Sequence, residues 1–228
     1  MSTEVESAKQ RGELLTRAHR LLEIPALFEL YQVAVDGGKR TPVSRFLEGV
    51  PYESVIDLGC GTGAWSYLTK KTYLGLDYSS SFIEGCRRRF KDDGRKRFEM
   101  GDLESIELNE RFDLALMMSV LHHLSDHQAE AVLESLRGNA TRLLVMDLIP
   151  IHGNPLSRLL YRLDRGDHIR SVDQQRRALT GSGDWEVERE DSFYSYNRLY
   201  RHTLFLLQPK SDAGIRPSES FQLEHGSH

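Results

Sequence analysis

The run Val55-Ile-Asp-Leu-Gly-Cys-Gly-Thr-Gly63 constrains this chain more than any other segment. A short strand-forming stretch leads into three alternating glycines, and Asp57 stands two places before the first of them. Glycine lacks a Cβ and takes positive φ without strain, so a ligand can lie almost directly on the backbone of such a loop. The pattern also predicts a helix opening after the loop, with its free N–H groups and dipole facing the bound molecule. The loop is therefore expected to hold a nucleotide-like cofactor.

Glycine spacing alone leaves two cofactor classes open. A dinucleotide fold wants G-x-G-x-x-G/A with an acid about 20 residues further on, and Gly59, Gly61, Ala64 and Asp77 satisfy it. Charge separates the two. Pyrophosphate sits poorly beside Asp57, whereas an ammonium group is welcome next to a carboxylate and backbone carbonyls. S-adenosyl-L-methionine carries such an ammonium, no phosphate, and a ribose for the second acid.

Asp57-Leu-Gly-Cys-Gly-Thr-Gly63 resembles the first motif of class I S-adenosylmethionine-dependent methyltransferases, of the bacterial small-molecule type (methyltransferase type 11/12-like). The resemblance covers roughly residues 25 to 208. It implies that Asp57, Gly59, Cys60, Gly61 and Gly63 cradle the cofactor. It further implies that Asp77, ending Thr72-Tyr-Leu-Gly-Leu-Asp77, accepts from the ribose hydroxyls, with Tyr78 alongside. Asp102 and Leu103, after Arg97-Phe-Glu-Met-Gly, resemble the pair that meets adenine. The resemblance also implies that Met118, at the end of the fourth strand, meets the cofactor. The product of the implied reaction is S-adenosyl-L-homocysteine.

Alternating apolar runs and amphipathic stretches predict an α/β fold, with a parallel sheet covered by helices. Strands are expected near 53–57, 73–77, 97–101, 112–118, 142–148, 184–190 and 200–207. Helices are expected near 64–71, 80–92, 127–139, 156–163 and 172–180. Seven strands ending this way match the family's Rossmann-like, mostly parallel sheet with helices on both faces, whose final strand inserts antiparallel. Residues 1–48 form an expected N-terminal helical cap, and 49–208 the methyltransferase domain with a lid insertion at 150–181. The Ser/Gly/Pro/Glu-rich tail, 209–228, is expected to be disordered.

Composition narrows the remaining classes. The chain has 228 residues, enough for one domain with a substantial core. No stretch approaches the roughly 20 apolar residues needed to span a bilayer, and the acidic, polar N-terminus is unlike a secretory signal. Two cysteines, Cys60 and Cys86, make no disulfide framework, so a cytoplasmic protein is expected. A net charge of −4 argues against a nucleic-acid partner. The cations between Arg87 and Arg97 are read as a solvated helix face. No metal is expected, because His122, His123 and Cys60 lack ligand spacing.

Methyl transfer from a sulfonium is an in-line displacement, so aiming the nucleophile and excluding water are the main tasks. A protonated acceptor also needs a base. His122 and His123, in Leu121-His-His-Leu124 after the fourth strand, are the first candidates. His168 is a further candidate, either as base or as acceptor contact. It lies in Tyr161-Arg-Leu-Asp-Arg-Gly-Asp-His-Ile-Arg170, which resembles an Asp-Arg-Gly-x-x-Ile/Val-Arg stretch of a bacterial subgroup of the family. Arg165 and Arg170 offer planar forks for an anionic acceptor, or form an internal salt-bridge network that fixes the lid. Tyr31 and Tyr196 are candidate linings of the acceptor pocket. The expected function is methylation of oxygen or nitrogen on a small molecule by a monomer or homodimer that touches no membrane. The alternatives are an RNA or protein side-chain methyltransferase, or a non-catalytic binding subunit.

Overall fold

The computed structural model describes residues 38–151, 157, 161, 168–196 and 198–210. Within them, helix α1 (Arg40–Phe46) precedes β1 (Ser54–Leu58), and β2 (Thr72–Asp77), α2 (Ser80–Arg89) and β3 (Lys96–Met100) follow. Next come β4 (Phe112–Met118), α3 (Asp126–Leu136), β5 (Ala140–Ile149), α4 (Val172–Thr180), β6 (Trp185–Tyr194) and β7 (Arg201–Pro209). The seven strands make one sheet in the order β3-β2-β1-β4-β5-β7-β6. Strands β1 to β5 pair in parallel, and β7 inserts antiparallel between β5 and β6.

The sheet forms where both faces of the chain are apolar. Every residue of β4 except Asp113 is buried, as are the last seven residues of β5, which is the pattern of strands covered on both sides. Leu114, Leu116, Leu144 and Met146 face α1 and α2 through Val43, Phe46, Ile83 and Cys86. Ala115, Met117, Leu143 and Val145 face α3 and α4 through Val132, Leu133, Leu136 and Leu179. Each of α3 and α4 opens on a capping box, Ser125 with Gln128 and Ser171 with Gln174, which satisfies two backbone donors reciprocally. The alternating Trp185-Glu-Val-Glu-Arg-Glu stretch is exposed for much of its length, as befits the edge strand it forms.

One expected element is missing. Residues 64–71 do not make an α-helix; they make turns and a single 3-10 turn, Ser66–Leu68. The cause is length. The crossover from β1 must travel back along five residues of strand, which at 1.5 Å per residue takes about eleven residues of α-helix. Only 64–71 remain once the glycine loop is made, and the steeper 3-10 turn covers the distance. The helix dipole expected behind the loop is therefore absent.

Of the expected helix at 156–163 only Ser157 and Tyr161 are described, both helical. The rest of that helix, residues 1–37 and residues 211–228 lie outside the described residues. The expected tail begins later than 209, since Pro209 still belongs to β7.

Candidate functional site

Strand order reverses between β1 and β4, and the crevice beyond the carboxyl ends of such neighbours is where ligands bind in open α/β sheets. The glycine loop occupies that crevice. Gly59, Gly61 and Gly63 have φ of 72°, 53° and 72°, so the loop turns through left-handed backbone three times. It hangs on β2. The Gly59 and Cys60 amides donate to the Leu76 carbonyl at 2.8 and 2.9 Å, and the Gly61 amide donates to Asp77 Oδ2 at 2.9 Å. A Cβ on Gly59 would stand 2.7 Å from Val120 Cγ2 on backbone already at positive φ. Gly59→Ala is thus expected to cost about 1–3 kcal/mol, measured by urea unfolding; an unchanged midpoint would show that the loop relaxes freely.

Two acids flank the loop. Asp57 is completely buried, and its Oδ2 accepts from the Tyr73 hydroxyl at 2.5 Å. Its Oδ1 has no hydrogen-bond partner. Burial pushes the Asp57 carboxyl up to about 7; the Tyr73 bond pulls it down and nearby Asp77 pushes it up. Asp77 Oδ1 also accepts from the Ser79 amide at 2.9 Å, and burial raises this carboxyl as well. An orphaned buried carboxylate oxygen is a costly feature in a folded protein unless a ligand satisfies it. A cationic group is what the chemistry of this oxygen fits.

The other expected cofactor residues surround this core. The Cys60 and Cys86 thiols both point to the Gly61 carbonyl, at 3.9 and 3.3 Å, and both are buried. Their mutual contact and their burial hold the Cys60 thiol protonated. Met118 is buried at the end of β4, Tyr78 is 75% exposed, and Asp102 is exposed after β3. Leu103 packs against the core beneath the sheet. Ser119, next after Met118, takes a φ of 60°, strained backbone on the rim of the crevice.

A second constellation lies beyond β4 and β5. His122 Nδ1 meets Asp147 Oδ1 at 2.5 Å, and the His122 backbone amide donates to Asp147 Oδ2 at 3.0 Å. Both side chains are buried. Asp147 is absent from the sequence expectations, although a lone acid inside the apolar run Leu143-Leu-Val-Met-Asp-Leu-Ile149 was a legible signal. The short contact with Asp147 fixes the orientation of the His122 ring. His123 is exposed, its ring 4.1 Å from that of His122. On β7, burial pushes the His202 imidazole well below its ordinary value, and nearby Lys39 and His122 add to that shift.

Arg170 is placed differently from the anion-gripping role. Its Nη1 donates to the Leu121 carbonyl at 2.8 Å and to the His168 carbonyl at 3.2 Å. Its Nη2 donates to the Leu124 carbonyl and to Asp126, both at 2.7 Å, and Nε donates to Asp126 at 3.1 Å. Every guanidinium nitrogen is thus engaged within the chain, so Arg170 fixes the turn that carries His122. His168 joins that support, since its amide donates to the His122 carbonyl at 3.0 Å, while its side chain is exposed. Tyr196 is 93% exposed and stands beside Gly38. Tyr31 and Arg165 lie outside the described residues.

The cations between Arg87 and Arg97 meet local oxygens. Arg88 pairs with Glu84, Arg95 and Lys96 with Asp93, Arg97 with Glu110, and Arg87 donates to the Phe98 carbonyl. Among the described residues no helix is long and apolar enough to cross a membrane, and no three His, Cys, Asp or Glu side chains gather as a metal site.

Residues 55–140, which include the glycine loop, Asp77 and His122, match the methyltransferase domain family. That segment is similar to a methyltransferase domain. A trans-aconitate 2-methyltransferase of Deinococcus radiodurans is 37% identical over 82 residues, 34% of this chain and 30% of that protein. The chain spans about a third of the length of the curated relatives it matches. In fold it resembles the magnesium protoporphyrin IX methyltransferase of Synechocystis PCC 6803, solved with bound S-adenosylhomocysteine. The TM-score is 0.56 at 19% identity, covering 75% of this chain and 81% of that one. It also resembles a glycopeptide N-methyltransferase complexed with S-adenosyl-L-methionine, with TM-score 0.58 and 16% identity over 73% of this chain and 85% of that one. Those two neighbours hold S-adenosylhomocysteine and S-adenosyl-L-methionine, and the orphaned Asp57 oxygen fits the ammonium of such a ligand.

Proposed function

We propose that this methyltransferase transfers a methyl group from S-adenosyl-L-methionine to a hydroxyl or amine of a small molecule, in the cytoplasm. The observation that carries the acceptor side is the buried His122–Asp147 pair at 2.5 Å, which joins the turn after β4 to β5. When bound, the cofactor supplies a methyl carbon activated by its sulfonium. Asp57 and the glycine-loop backbone hold the amino-acid end, Asp77 the ribose, and Asp102 with Leu103 the adenine. Asp77 uses one lone pair of each oxygen on the Gly61 and Ser79 amides, so each oxygen keeps capacity for a ribose hydroxyl.

His122 takes the acceptor's proton, while Asp147 fixes the ring and stabilises the imidazolium that forms. Arg170 holds the turn in register, and Tyr31, Arg165 and Tyr196 remain the proposed acceptor contacts. The pairing of Arg95, Lys96 and Arg97 with local acids supports a small acceptor over a polyanion. The three proteins named above print trans-aconitate, magnesium protoporphyrin IX and a glycopeptide as acceptors, which supports the same reading.

S-adenosylhomocysteine at about 100 times its Kd should stabilise the protein by about 2.7 kcal/mol, read as a rise in Tm of several degrees. NAD should give none. A shift with NAD alone would overturn the cofactor assignment. Incubation of the full chain with methyl-labelled donor and a metabolite extract then tests the acceptor, with label expected in the small-molecule fraction. Label appearing only in RNA or protein would overturn that part of the reading.

A further inference from the structure

The surroundings of Asp57 are chemically one-sided. From β2 it is faced by the Tyr73 hydroxyl and, nearby, the Asp77 carboxylate; from the glycine loop by Cys60, with Cys86 of α2 behind it. Strand β4 presents only Leu116 at the paired position. Helix α1 packs on the same face, but its Arg40 guanidinium reaches the Ala64 carbonyl and lies over the Tyr67 ring, and Lys39 sits towards His202. Two carboxylates, a phenol and two thiols therefore share one buried space, and among the described residues no cation pairs with either acid. One oxygen of the innermost acid has no partner at all.

Such a site must find its positive charge elsewhere. A buried, unpaired carboxylate neutralises itself by taking up a proton when no counter-ion is present. An arriving ammonium supplies the counter-ion and reverses that preference.

We propose that Asp57 carries a proton in the ligand-free protein and surrenders it to solvent when the ammonium of the cofactor's amino-acid end docks, so that cofactor capture is coupled to release of one proton. The coupling rests on the cofactor reading above and adds to it a direction in pH. Tyr73 is the residue that sets the balance, because its hydroxyl donates to the carboxylate at 2.5 Å and so favours the ionised form. The raised affinity of Asp57 for its proton, to about 7, puts the exchange within the physiological range. Below that pH the cofactor must displace a proton to bind; above it the carboxylate is already ionised and the coupling vanishes.

The test is calorimetric titration of the full chain with S-adenosylhomocysteine from pH 5.5 to 7.5, in pairs of buffers that differ in ionisation enthalpy. At pH 6 nearly one proton should be released per ligand bound, and affinity should rise about tenfold per pH unit below 7 before levelling. Asp57→Asn should bind more weakly with a flat pH profile and no proton release. Asp77→Asn should keep the release. Tyr73→Phe, which retains the acid, should move the midpoint to higher pH. Binding by the natural sequence without proton release, or release that persists in Asp57→Asn, overturns the coupling while leaving the cofactor assignment intact. No binding at any pH would sink the cofactor assignment, and the coupling with it.

Discussion

Asp57→Asn should make the ligand-free protein more stable at pH 8 than the natural sequence. The folded carboxyl sits at about 7 against an ordinary value of 3.8, because burial disfavours its ionised form. A carboxyl raised on folding contributes stability that is fully present below its unfolded value and is lost as pH rises through its folded value. Between pH 4 and pH 7 the natural protein therefore gives up stability that the amide variant keeps. The full difference is on the order of 4 kcal/mol, which for a domain of this size raises Tm by about 10 °C. The gap should close at pH 4. Urea unfolding of both forms at pH 4 and pH 8 measures it, and equal stability at pH 8 would show that Asp57 is already compensated. The same variant should bind cofactor poorly, so stability and function pull against each other at this one position.

Arg170→Met should do the opposite, costing stability while leaving the methyl-donor site untouched. The substitution strips the Leu121 and Leu124 carbonyls of buried donors and frees the turn that bears His122. Its bond to Asp126 contributes little, since that acid is 84% exposed. Loss of the buried carbonyl contacts should cost about 3 kcal/mol and lower Tm by several degrees. S-adenosylhomocysteine affinity should stay within about twofold. A variant of unchanged stability would return Arg170 to the role of acceptor anchor.

The parallel sheet was legible because β4 and β5 are apolar on both faces, a pattern that few other elements produce. The glycine loop and its flanking acids were legible because Asp57 and the three glycines are contiguous and Asp77 ends the next strand. The acceptor side was harder to read. Asp147 meets His122 only through the pairing of two strands, and no spacing along the chain announces that contact. For Arg170 the sequence left two roles open, because an arginine suited to an anion looks the same in sequence as one that caps its own chain's carbonyls; the bonds to Leu121 and Leu124 favour the second. The missing helix after the loop was a question of distance, which the helix-forming look of residues 64–71 concealed.

That short crossover has a mechanical consequence. With no helix behind it, the donor cradle is suspended from β2 through the Leu76 carbonyl and the Asp77 carboxylate. A ligand gripping both the cradle and Asp77 fastens β1 to β2 like a clasp. Departure of the spent donor then undoes that one tie between the cradle and the end of β2.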